Sequence, residues 1–282
     1  MLRESCLRRV LKVPALAAAG FAMLAAALLV GSPGANTPEP PASEASGYVV
    51  FRHVLLDGDV ISRPEHDSPG SVNAQYTVNK HRWAAASMPV TVAYNASGAP
   101  EGIDAAPLLQ DAIAKWNAIA PQSFSFAWAG NSTGSAGSCG ASVQRDGINT
   151  VTFADDLPFG TLGQTCTVWS VSGGASAPLV EFDMELSSKV RWSIDETTPA
   201  NRYDLWSTIL HEMGHAAGLG HTQDGSAVMY ASLKAGAQKR TLAGDDRQGL
   251  IAAYPGSTNP TPTPTPSLPR DFTIVTANVA RD

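Results

Sequence analysis

The chain has 282 residues, of which 44% are hydrophobic and 16% charged, with a net charge of -6 at neutral pH. That length accommodates one large domain or two small ones with a sizeable core. The acidic balance and the lack of any basic stripe exclude a nucleic-acid-binding surface.

Residues 1–35 read as a targeting segment. Arg3, Arg8, Arg9 and Lys12 precede an apolar run from Val13 to Val30, and Gly31, Ser32, Gly34 and Ala35 offer small residues for signal-peptide cleavage. The run is also long enough to stay as an uncleaved N-terminal membrane anchor. Either way, the rest of the chain is expected to be secreted or held at the cell surface. Cys6 belongs to that segment, which leaves Cys139 and Cys166. In an oxidising compartment an even pair is expected to form a disulfide; two free buried thiols are the alternative.

Residues 36–79 are rich in Pro, Ser, Glu and Asp, with a short apolar patch at Tyr48–Phe51, and read as a linker with one hairpin or as a short pro-segment. His53, His66 and His81 are taken as ordinary surface or loop histidines. Residues 80–255 form the compact unit. Val90–Tyr94 alternates as a strand. Asp104 caps a helix whose Leu109, Ile113, Trp116 and Ile119 recur at helical spacing until Pro121. Further strands are expected at 124–128, 150–154, 165–171 and 179–186. A second helix follows, capped by Asn201 with Asp204 in a capping-box position. Strands grouped between two helices imply an α+β unit, a mixed sheet with helices on one side. Residues 256–282 hold a stiff Pro/Thr spacer, Pro260–Pro266, and a C-terminal tail.

The second helix carries His211-Glu212-Met213-Gly214-His215-Ala216-Ala217-Gly218-Leu219-Gly220-His221, the register H-E-x-x-H-x-x-G-x-x-H. Those five fixed positions would arise by chance on the order of once in 10^5 chains of this composition, so coincidence is a poor explanation. At 100° per residue His211 and His215 point the same way to within about 40°. Trp206, Ile209, Leu210, Met213 and Ala217 form a core stripe on the other side. Gly218 breaks the helix and lets His221 return as a third ligand. Three neutral imidazoles leave a zinc ion one open position, the mark of a catalytic site. Glu212 is placed as general base and acid for a zinc-activated water, so the motif reads as a zinc metalloendopeptidase that hydrolyses internal peptide bonds. The alternative from another class is a zinc-stapled extracellular binding or adhesion module without catalysis; Glu212 argues against it, because metal binding alone does not require that carboxylate.

The sequence resembles the metzincins, and within them the matrixin (matrix metalloproteinase-like) family, over roughly Trp83 to Tyr254. Thr222, then Ala227-Val228-Met229-Tyr230, follow the third histidine as in matrixins, and Asp245–Tyr254 is similar to the family's closing helix. Thr222 and the Met229-Tyr230 spacing favour matrixins over other metzincin branches. The resemblance implies a zincin-like catalytic domain with a twisted mixed sheet and a Met-turn, in which Met229 floors the zinc without ligating it. It further implies that Tyr230 and the segment to Leu242 line a substrate pocket. Phe159–Gln164 would be an edge strand that pairs with an extended substrate. The expected partner is a protein or peptide substrate, and the expected state a monomer. Asp156 and Asp183 match the family's calcium positions, although Leu186 replaces an acidic ligand. Gln164 stands where a ligand to a second zinc would be, Ala231 replaces a proline, and no cysteine-switch propeptide precedes the domain.

Overall fold

A computed structural model describes residues 48–59, 76–140 and 144–256. The targeting segment, His66 and the Pro/Thr spacer lie outside these residues. Among the described residues no helix is long and apolar enough to cross a membrane.

Strand β1 (Tyr48–Asp57) comes first, then β2 (Val90–Tyr94) and helix α1 (Ala106–Asn117). Asp104 serves α1 as expected from sequence, its Oδ1 accepting the Ala106 N–H at 3.0 Å, although the residue flanking the helix is Ala105. Pro107 sits in the first turn, where its missing N–H costs nothing. Leu109, Ile113 and Trp116 fall on the buried face, each fully buried side chain contributing about 1.5–3 kcal/mol.

Strand β3 (Phe126–Asn131) starts two residues later than 124–128 implies, because Phe124 turns into the core against Phe126 and Tyr254. After β4 (Thr150–Ala154) comes β5 (Thr161–Ser170), which begins four residues before the expected Thr165. Its residues Thr161 to Val168 are all buried, and polar members such as Thr161 and Gln164 hide that strand in the sequence. Then follow β6 (Leu179–Ser187), the short pair β7 (Trp192–Ser193) and β8 (Tyr203–Asp204), helix α2 (Leu205–Ala216), β9 (Ser232–Leu233) and helix α3 (Gly244–Ala253).

The main sheet has the order β3-β2-β4-β6-β5-β1-β9. Strands β3, β2, β4 and β6 run parallel, β5 is antiparallel to β6 and to β1, and β9 is parallel to β1. A mixed sheet with α1 and α2 packed together is the α+β arrangement expected. Three aromatic donors fix α2 in place: Trp116 Nε1 to Leu210 O (3.0 Å), Trp83 Nε1 to Ala216 O (2.8 Å) and Tyr254 Oη to Ala217 O (2.9 Å). Cys139 and Cys166 are joined, with Cα atoms 5.4 Å apart, tying the turn at Gly137–Cys139 to β5.

One segment extends the main sheet beyond the compact unit expected at residues 80–255. Tyr48–Asp57, placed by the sequence reading in a linker or short pro-segment, is a ten-residue strand of the main sheet. It pairs with β5 from Tyr48 opposite Ser170 to Leu55 opposite Gly163. Strand β5, assigned as the free edge for substrate, is therefore an interior strand.

Candidate metal centre

Helix α2 begins at Leu205, and Asp204, not Asn201, is its cap. Residues Tyr203 and Asp204 stay extended because they pair with Trp192 and Ser193. The buried Asp204 carboxylate accepts from Ser207 N (2.9 Å), Ser207 Oγ (2.5 Å), Thr198 Oγ1 (3.0 Å) and Arg240 Nε (2.9 Å), and pairs with Arg240 through Nη2 as well. This satisfies an orphan helix N–H and neutralises a buried charge at once. Asp204→Ala strands the guanidinium and these donors, and is expected to lower folding stability by about 3–5 kcal/mol, read from the urea midpoint.

The core stripe of α2 is as expected at Ile209, Leu210, Met213 and Ala217, all buried. Trp206 instead lies half-buried at the rim, donating to Asp111 Oδ2 at 2.6 Å and carrying Lys115 and Arg240 over its ring. On the opposite side, His211 and His215 converge with His221. After α2 the chain turns at Gly218, whose φ of 92° is left-handed. Gly218 N–H bonds to His215 O (2.8 Å) and Leu219 N–H to Gly214 O (3.0 Å), a closure that brings His221 back to the helix.

The nitrogens of the three rings identify what they can hold. His211 Nδ1 lies 2.7 Å from Val228 O and His215 Nδ1 lies 2.8 Å from Leu219 O. A carbonyl only accepts, so both Nδ1 atoms carry the proton and both Nε2 atoms carry a lone pair. Yet His215 Nε2 is 2.9 Å from His211 Nε2 and 3.2 Å from His221 Nε2. The first of these pairs brings two acceptors together, a repulsive contact unless a cation sits between them. A tetrahedral zinc with Zn–N near 2.0–2.1 Å requires N···N of about 3.3–3.4 Å; the His215–His221 pair at 3.2 Å is near that value and the His215–His211 pair at 2.9 Å is shorter. Burial holds His211 and His215 well below the ordinary imidazole range, and so neutral, as metal ligands must be. Among the described residues these three histidines form the one group of His, Cys, Asp or Glu side chains close enough to share an ion.

Glu212 is fully buried beside them. Thr165 Oγ1 donates to its Oε2 at 2.6 Å, and Oε1 has no hydrogen-bond partner. The Leu55 backbone N–H faces the same carboxylate. Burial pushes the Glu212 carboxyl up to about 8 against the pull of Thr165 and Leu55. Strand β5 can pass this close because residue 163 is glycine; a Cβ there would stand 3.1 Å from Glu212 Oε1. Beside His211, a pocket is lined by Leu55, Ser207, Val228, Tyr230, Leu233 and Lys239.

The loop from His221 to Tyr230 is pinned from below. Thr222 N–H bonds to Met229 O (3.0 Å), while Asp246 on α3 accepts the N–H groups of Val228 (3.0 Å) and Met229 (2.9 Å). Because Val228 O in turn receives His211 Nδ1, α3 orients the first imidazole through two hydrogen bonds.

Comparison with known proteins finds a family match over part of the chain. Residues 149–255 match the model of the matrixin family. The chain is 34% identical over 104 residues to Metalloendoproteinase 1-MMP of Arabidopsis thaliana, covering 36% of this chain and 26% of that protein. It is 33% identical over 87 residues to Metalloendoproteinase 1 of Glycine max (30% and 28%). It is also 27% identical over 214 residues to Neutrophil collagenase of Homo sapiens (75% and 42%). The chain thus spans about a quarter of the length of the plant relatives it matches.

Residues 149–255 are similar to the matrixin family.

Within this matrixin-like stretch, Met229 is buried under α2 against Gly214. A Cβ on Gly214 would lie 2.2 Å from Met229 Sδ and 2.8 Å from Trp116 Cζ2. Gly214→Ala is therefore expected to cost about 1–3 kcal/mol by overpacking, visible as a lower thermal midpoint. The structure does not bring Asp156 and Asp183 into one cation site. Asp183 is buried, its oxygens taken by Ser138 N (2.9 Å), Ser138 Oγ (2.5 Å) and Thr150 N (3.0 Å), while Asp156 is exposed after β4. Gln164 donates to Glu185 Oε2 at 2.5 Å.

His53 is the residue that sequence reading missed. It is not at the surface: its ring is 2% exposed and stacks on His215 at 4.2 Å, 13° from parallel. His81 stacks on Trp169 at 3.8 Å and contacts Ala177 O through Nδ1 (2.8 Å). The signal for His53 was present in Tyr48-Val49-Val50-Phe51 and Val54-Leu55-Leu56, β-prone runs on either side of it that end at Asp57-Gly58.

Proposed function

We propose that the protein is a zinc-dependent metalloendopeptidase, secreted or tethered at the cell surface, that acts as a monomer on protein or peptide substrates. The observation that carries this reading is the convergence of three imidazole Nε2 atoms beside a buried carboxylate. His211, His215 and His221 would hold the ion, and the donor set suits zinc. Bound there, zinc supplies Lewis acidity that polarises a peptide carbonyl and acidifies water. Glu212 takes a proton from the attacking water and returns it to the nitrogen of the departing chain. Thr165 fixes the orientation of that carboxylate through Oε2, which leaves Oε1 open for the proton. Met229 supports the ligands from the core, and Tyr230 walls the pocket that takes a substrate side chain.

The reading is tested by digesting casein and a peptide library with zinc-loaded protein and locating the cuts by mass spectrometry. Internal cleavage that stops on chelation and returns with zinc supports it. A protein that binds zinc stoichiometrically yet cuts nothing in any form would be a zinc-stapled module instead.

A further inference from the structure

Lys239 lines the pocket beside His211, together with Leu55, Val228, Tyr230 and Leu233. Its Nζ is buried and has no hydrogen-bond partner among the described residues. The ammonium rests over the Tyr230 ring, 4.6 Å from its centre. A ring face attracts a cation but leaves its three N–H donors without an ordinary acceptor. Two carboxylates act on this charge from a distance, and both are engaged elsewhere. Asp246 accepts the amides of Val228 (3.0 Å), Met229 (2.9 Å) and Ala243 (2.7 Å), and Asp224 accepts Ser226 N (2.9 Å) and Oγ (2.7 Å).

The lysine is anchored to the metal helix. Its own N–H donates to Ser207 Oγ at 2.7 Å, and Ser207 stands one turn of α2 before His211, on the same face. That hydroxyl is already committed, because it donates in turn to Asp204 Oδ2 at 2.5 Å. Leu55, 1% exposed, reaches the same pocket and brings no polar atom on its side chain. A buried cation without a partner is costly, and an occupant that carries a carboxylate offsets the cost. Such a site accepts an acidic side chain and rejects an apolar one, which would leave the charge unpaired.

We propose that Lys239 sets the substrate preference of this centre: the pocket beside His211 takes an acidic side chain, such as glutamate, from the residue next to the cleaved bond. This rests on the peptidase reading above. The substrate carboxylate takes the N–H donors of Lys239, and Val228 and Leu233 receive its methylenes. Peptides with glutamate at that position are cut about tenfold more efficiently than the same peptides with leucine, and Lys239→Met reverses the order.

The preference is tested by digesting a peptide library with the zinc-loaded parent and Lys239→Met chains and reading the cuts by mass spectrometry. Glutamate or aspartate enriched beside the cut in the parent, and leucine in Lys239→Met, supports the proposal. A parent that prefers leucine there overturns it and leaves the peptidase reading standing. The pocket is also tested without turnover, by thermal midpoints in the zinc-loaded Glu212→Ala chain. There Leu55→Glu should cost about 4 °C less when Lys239 is present than when it is methionine, while Leu55→Gln costs the same in both. An equal cost of Leu55→Glu in the two backgrounds overturns the proposal. If neither chain cuts any peptide while holding zinc, the peptidase reading falls and takes the substrate preference with it, and the midpoints still show whether the pocket pairs a carboxylate.

Discussion

Glu212→Ala is expected to lower peptide hydrolysis by about 10^2–10^4-fold while zinc stays bound. No other replacement separates chemistry from metal binding so cleanly, because the three imidazoles need nothing from that carboxylate. Nδ1 of His211 and of His215 are held by Val228 O and Leu219 O, both untouched by the change. The fold should also tolerate it. Thr165 Oγ1 loses Oε2 but keeps the Glu212 carbonyl at 3.2 Å, and a buried carboxyl oxygen without a partner disappears. Turnover of a fluorogenic peptide, set beside zinc stoichiometry, is the measurement. A variant that turns over at the parent rate would remove Glu212 from the chemistry.

Removing the metal, by chelator or by His215→Ala, is expected to abolish hydrolysis and to lower thermal stability together. Zinc that binds the folded chain and not the unfolded one contributes about 4 kcal/mol at a thousandfold excess over its Kd. For a domain of this size that corresponds to roughly 8–16 °C in the midpoint. His215 is the position to replace, since its Nε2 lies 2.9 Å from that of His211 and 3.2 Å from that of His221. Scanning calorimetry with and without zinc checks this: the parent should shift on zinc addition and His215→Ala should not. A parent indifferent to zinc would mean the nitrogens converge on something else.

How much of this was legible in the sequence follows from the range of the interactions involved. The motif helix, its core stripe and the break at Gly218 depend on neighbours within a few residues, so spacing alone reveals them. The cap did not follow, because Asp204 is selected over Asn201 by Arg240 and Thr198, partners that only the folded chain supplies. Asp183 misleads for a related reason: an acidic residue in a strand reads as a surface or cation-binding group, yet it serves as an internal acceptor for Ser138 and Thr150. Strand β1 was the least legible. Tyr48 pairs with Ser170, and nothing local announces so distant a register. With β1 went the environment of His53, which has no meaning as a loop residue and a clear one when stacked on a ligand.

The support that Asp246 gives to the Val228 and Met229 amides makes the last helix part of the metal centre's scaffold. A version of the protein trimmed before Gly244 would retain His211, Glu212, His215 and His221, yet its first imidazole would be left to swing, its anchoring carbonyl no longer fixed. The smallest unit that keeps the three imidazoles in place thus runs through the closing helix, well past the last histidine.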